Sequence, residues 1–263
     1  MVTPLAAYFD ASGSEPQSSV WTVGGRIGTV AEWSELNIAW QKMLDEAPFR
    51  ADVEQHKRVF HAADLEYREA TYSGWTEAEK QSFQDEAYSI IEQFPSFTAI
   101  SSSLIKADWE SLGLQLDTVR DGHPGNFFVH VILDALSNIR KWADAEAYDG
   151  PIQYYFEAGD IGMGNVQDAL KRIDSDPKRR QPYRMEGWHF EGKQLLPLQA
   201  ADIWAYESYK QMLNRIVAGQ LRKRRYPFNR LWQERYTPYN TYADRERLEG
   251  LIAKARAIEA KKP

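Results

Sequence analysis

Three carboxylates interrupt stretches that are otherwise apolar or built of small residues. Asp10 closes "LAAYFD", Glu157 closes "YYFE" ahead of Ala-Gly-Asp, and Asp202 lies within "LPLQAADIWAYE". Burying an ionised carboxylate without a partner is costly, so each position calls for compensation. A cap or a salt bridge would explain any one of them; capping does not explain an acid inside an Ala-rich helix. Three converging carboxylates repel one another, and a divalent cation is the economical way to keep them ionised. The chain has no cysteine, so the donors are oxygen or imidazole, which points to Mg2+ or Mn2+. A pair of such ions about 4 Å apart activates water and stabilises the leaving oxygen of a phosphodiester.

Other residues stand close enough in sequence to assist. Within "FEAGD", Asp160 is the alternative to Glu157 as ligand; strand periodicity gives Glu157 the more rigid place and leaves Asp160 beside it. Ser12 follows Asp10 into a Ser-Gly-Ser turn. Gln199 and Tyr206 share a helix face with Asp202, and Ala200, Ala201 and Ala205 let that helix come near a sheet. His61 in "VFHAADL" reads either as a proton shuttle or phosphate contact or as a loop histidine satisfied by backbone. His130 and Asp134 read as a solvent-facing pair, and His189 as structural. Gly24 and Gly25 suggest a bulge or a close backbone approach beside Asp10.

The elements that must position these groups follow from periodicity. Residues 4–10 and 18–28 read as antiparallel strands. Thr29 with Glu32, and Thr76 with Glu79, are capping boxes opening two amphipathic helices. Strands follow at 96–106, at 151–160 (apolar enough to be covered on both faces) and at 183–191. They alternate with helices, the last of which carries Pro197 in its first turn. The expected fold is α/β: a mixed five-stranded sheet flanked by helices, with a helical insertion at about 29–95 and a C-terminal helical extension at about 215–263, all in one domain. If the first and fourth strands are parallel neighbours, Asp10 and Glu157 emerge together at the carboxyl edge, where ligand sites lie.

A net charge of -6 argues against coating nucleic acid by bulk electrostatics. Basic residues nonetheless cluster in "DPKRRQPYR" (Lys178, Arg179, Arg180) and "LRKRRYPFNR" (Arg224, Arg225), interleaved with aromatics. Each cluster is either a solvated face or a phosphate-contacting patch. No apolar run approaches the length of a bilayer span and no signal-peptide pattern opens the chain, so a soluble cytoplasmic protein without membrane contact is expected. No oligomeric state is legible.

"YFDASG", "VGGRI", "FHAADL" and "LLPLQAADIWAYE" resemble the motifs of domain-of-unknown-function family 3800, over roughly residues 5–210. That resemblance implies a ribonuclease-H-like fold with Asp10, Glu157 and Asp202 as a metal site and Ser12 and Gln199 beside it. The departure is Ala11, where the family often carries Glu. The expected activity is metal-dependent hydrolysis of a nucleic-acid backbone. The alternatives are a non-catalytic nucleic-acid-binding or interaction module and, further off, a glycoside hydrolase using a carboxylate pair.

Overall fold

In the computed structural model, which describes residues 3–15, 17–112, 127–159, 163–218 and 226–259, the first two apolar runs form β1 (Leu5–Ser12) and β2 (Val20–Thr29). They pair antiparallel, with Leu5 opposite Thr29 and Ser12 opposite Thr22. Gly13 leaves β1 at φ +81°, and a Cβ there would lie 2.2 Å from the Val20 carbonyl oxygen. Only glycine suits that turn.

The Thr29 hydroxyl accepts from the Glu32 N–H while the Glu32 carboxylate accepts from the Thr29 N–H, opening α1 (Val30–Glu46) with the expected capping box. After the short α2 (Ala62–Tyr67), Thr76 and Glu79 open α3 (Glu77–Glu92) in the same way. The chain continues through β3 (Thr98–Ile105), α4 (Lys106–Ser111), α5 (Phe127–Ala145), β4 (Ile152–Glu157), α6 (Met163–Asp174), α7 (Pro177–Arg180) and β5 (Met185–Glu191). It closes with α8 (Leu196–Ala218), α9 (Tyr226–Leu231), β6 (Asn240–Ala243) and α10 (Arg245–Glu259).

The architecture is α/β, with a mixed sheet ordered β5-β4-β1-β2-β3-β6 and helices on both faces. β1, β4 and β5 run parallel, whereas β2 is antiparallel to both its neighbours. The sheet has six strands where five were expected. β6 lies in the stretch read as helical extension and pairs parallel with β3 from Ser101 opposite Asn240 to Leu104 opposite Ala243. Four residues, half of them polar, are too few to show a period of two. Side-chain bonds fix the strand instead: Ser101 to the Asn240 side-chain oxygen at 2.6 Å, and Asn138 to the Thr241 hydroxyl at 2.8 Å.

Alternation along β1 sorts the core. Ala6 and Tyr8 face the cluster built with α1, α3 and α8, while Leu5, Ala7 and Phe9 face the cluster built with α5 and α6. β4 alternates too: Ile152, Tyr154 and Phe156 are buried, whereas Gln153, Tyr155 and Glu157 are half-buried, so it is not covered evenly on both faces. α8 crosses β2 very closely, since a Cβ on Gly24 would lie 2.6 Å from the Ala205 Cα. The β1–β2 register runs unbroken past Gly24 and Gly25, so here the glycine serves close approach and not a bulge.

His130 and Asp134 do not face solvent as expected. Asp134 accepts from Ser102, Thr241 and Arg247 at 2.8, 2.5 and 2.6 Å, tying α5 to β3, β6 and α10. His130 packs on Trp109, and burial pushes its pKa down. Among the described residues no helix is long and apolar enough to cross a membrane.

Candidate active site

Strand register brings the first two acids together. β1 pairs with β4 as far as Phe9 opposite Phe156, so the next residues, Asp10 and Glu157, leave the parallel strands side by side. Asp10 continues the face of Ala6 and Tyr8, and Glu157 that of Tyr155, so both point toward α8. Asp202 descends on them from α8, whose Ala201 and Ala205 are fully buried against the sheet. By the same alternation Ala11 falls on the opposite face, packed on the cluster of Phe9 and Phe156. A glutamate there would not face Asp202.

The three acids meet around a residue that sequence reasoning missed. The Lys193 ammonium, on the turn between β5 and α8, stands 3.4 Å from Asp10 Oδ2, 3.6 Å from Glu157 Oε2 and 3.4 Å from Asp202 Oδ1. Asp10 and Asp202 are each only 3% exposed, so little water screens these contacts. Burial opposes the charge on Lys193, but Asp10, Asp202 and Glu157 outweigh it and hold its pKa above the ordinary lysine range. Asp202 is likewise penalised by burial. The Lys193 charge, His61, the neighbouring Asp10 carboxyl and the Ala62 N–H at 2.6 Å nevertheless bring its pKa below the usual carboxylate value. Asp10 goes the other way: burial pushes its pKa well up, Lys193 opposes, and Glu157 and Asp202 add to the rise. One ammonium therefore compensates three carboxylates incompletely, and Asp10 absorbs the deficit.

Gln199 proves to be a brace. Fully buried, its side-chain oxygen accepts from Trp40 Nε1 and the Phe60 N–H, both at 2.8 Å, while its amide donates to the Lys193 carbonyl at 2.7 Å. One side chain thus ties α1, the approach to α2 and the Lys193 turn to α8. His61 caps α2, its Nδ1 accepting from the Asp64 N–H and lying 3.1 Å from the Asp64 carboxylate. Burial lowers its pKa, yet Asp64 and Asp202 prevail and raise it.

Glu157, Asp202 and Lys193 form the floor of a cleft of about 550 Å3, with Asp10 buried beside them; its walls are Ser12–Glu15 at the end of β1 and the turn after it, His61, Ala63 and Tyr67, and Tyr206, Tyr209 and Lys210 of α8. Ser12 and His61 therefore reach the site as expected. Asp160, Arg224 and Arg225 lie outside the described residues. Lys178, Arg179 and Arg180 are not brought to the cleft. They form α7 at the amino end of β5, a strand length of about 20 Å from its carboxyl edge. Arg180 is also committed to the Met185 and Glu186 carbonyls, and Arg179 to Asp176.

The donor set suits a hard divalent cation: carboxylate oxygens converge from three elements, their charge exceeds that of Lys193, and the buried Asp10 Oδ2 accepts no hydrogen bond. The spacing around Nζ is that of an ammonium, longer than the roughly 2.1 Å of Mg–oxygen bonds. Accordingly, no group of three or more His, Asp or Glu among the described residues is arranged to hold an ion as it stands. A metal would take the place that the Lys193 ammonium fills. No family model matches the chain, and neither a curated protein nor a solved structure matches it.

Proposed function

We propose that the chain is a metal-dependent phosphodiesterase acting on nucleic acid, with Asp10, Glu157 and Asp202 as the ligands of Mg2+ or Mn2+. One observation carries the reading: three acids from distant segments converge on one cationic position at the carboxyl edge of parallel strands, two of them lining a cleft. A ribonuclease-H-like classification and membership of domain-of-unknown-function family 3800 belong to the same proposal. They are supported by the element order, two antiparallel strands followed by αβ alternation, and by the four short motifs.

A divalent ion held by these acids would supply a water of lowered pKa and charge to stabilise the leaving oxygen. The chain's own groups do the rest. The Ala62 N–H fixes the Asp202 carboxylate, and Gln199 holds the turn that carries Lys193. Lys193 and Lys210, which both line the cleft, would draw a phosphodiester into it. His61 has its Nδ1 occupied by Asp64, so a proton on Nε2 is the one it can pass to the departing oxygen.

The position of Lys193 favours one other reading, a nucleic-acid-binding module whose acids are permanently neutralised by that lysine. Thermal unfolding in EDTA, Mg2+ and Mn2+ separates the two. The phosphodiesterase gains stability with metal, loses that gain in Asp10→Asn and Asp202→Asn, and cleaves labelled DNA, RNA or hybrid only with metal. A melting temperature indifferent to both ions, together with no cleavage of any of these substrates, rejects the proposal.

A further inference from the structure

We infer that the substrate reaches the acids as a single strand, with a base stacked on Tyr67 and a neighbouring phosphate held by Lys210; this rests on the phosphodiesterase reading and names its substrate class. Tyr67 is the last residue of α2 and is 61% exposed, a large aromatic left in water at the rim of the cleft. No contact in the core or the acid cluster accounts for it. Lys210 donates to the Tyr67 hydroxyl at 3.2 Å, and its ammonium lies 5.5 Å from the ring centroids of both Tyr67 and Tyr206. Among the described residues it forms no ion pair with a carboxylate, so its charge is available to an incoming anion. An exposed ring beside a cation with no carboxylate partner is the pairing by which single strands are bound, the ring taking a base face and the cation the backbone.

The depth of the acids points the same way. Asp10 and Asp202 are almost fully buried beneath walls from the β1–β2 turn, α2 and α8. A phosphate inside a duplex is held at the helix surface in a stiff array, whereas an unpaired strand can bend one inward, as enzymes with pocketed sites require. A cleft of about 550 Å3 has the capacity of a small-ligand pocket, room for a nucleotide or two and not for paired strands.

Fluorescence anisotropy with a labelled mixed-sequence oligonucleotide, as DNA and as RNA, each single-stranded and as its blunt duplex, tests this in Ca2+ and again in EDTA. The single strand should bind more tightly than the duplex. Tyr67→Ala should weaken single-strand binding by about 5- to 150-fold, the loss of one stacked base, with an unchanged melting temperature. Tyr67→Phe keeps the ring and should retain most of the affinity. Lys210→Gln should lower affinity and reduce the slope of log K against log salt by about 0.7, one phosphate contact on a single strand. Equal binding of duplex and single strand, or Tyr67→Ala binding like the parent, overturns this inference and leaves the phosphodiesterase reading standing. No binding to either form, with no metal-linked stabilisation, overturns both.

Discussion

Replacing Lys193 with methionine keeps the length and the apolar stem of the side chain and removes the charge on which three acids converge. At 3.4–3.6 Å and an effective dielectric constant of about 20, each contact is worth about 5 kcal/mol before desolvation is subtracted. Desolvation cancels much of that sum, and removing one partner from a buried ionic group typically costs about 3–5 kcal/mol. For a chain of this size that is a fall of about 10 °C in melting temperature at pH 7 in EDTA. The pH dependence identifies the cause. In the parent, the raised pKa of Lys193 means its contribution is complete below the unfolded lysine value, about 10.4, and fades only as pH rises through the higher folded value. In the variant, acids crowded without a cation have folded pKa values above their unfolded ones, so stability is lost as pH rises through those values and recovered as pH falls. The gap between parent and variant should therefore narrow from pH 7 to pH 5, and Mg2+ or Mn2+ should close part of it at pH 7. Melting curves by circular dichroism at both pH values measure this. A gap below about 1 kcal/mol at pH 7, or one of equal size at pH 5, would refute the electrostatic account.

Two further substitutions test how the site is held. Gln199→Leu leaves Trp40 Nε1, the Phe60 N–H and the Lys193 carbonyl without their partner, and urea unfolding should register a loss of about 3 kcal/mol or more. Gly24→Ala drives a methyl into the Ala205 backbone of α8, costing about 1–3 kcal/mol in the same measurement and weakening metal-linked stabilisation by lifting Asp202 from β1.

Much of this arrangement is legible in the chain because it is written in local patterns. The capping boxes at Thr29 and Thr76, the β1–β2 pair and the small residues of α8 each have a period or a spacing that physics demands. Their order allows parallel pairing of β1 with β4 without requiring it, and that pairing places Asp10 beside Glu157. What escaped has no such pattern. Lys193 is a single lysine in "EGKQLL", and nothing local distinguishes a turn lysine that folds back over acids from one that points into water. The spacing puts Gln199 on the helix face of Asp202, but its partners Trp40 and Phe60 come from an insertion whose packing no periodicity encodes. β6 is too short to show alternation, and the basic run at Lys178–Arg180 carried a charge signal that its place at the opposite end of β5 does not support.

The Ala62 N–H and the Asp202 carboxylate are 140 residues apart, and Trp40 and Gln199 are 159 apart. These contacts, which hold α8 over the cluster, are of long range, and loop closure on that scale precedes any reward from them. During synthesis, a ribosome that has released β1 through β5 has not yet released the helix that completes the cluster. Such a nascent chain holds Asp10 and Glu157 without Asp202 or the Gln199 brace. The cluster is therefore assembled only once α8 has followed β5 out of the ribosome.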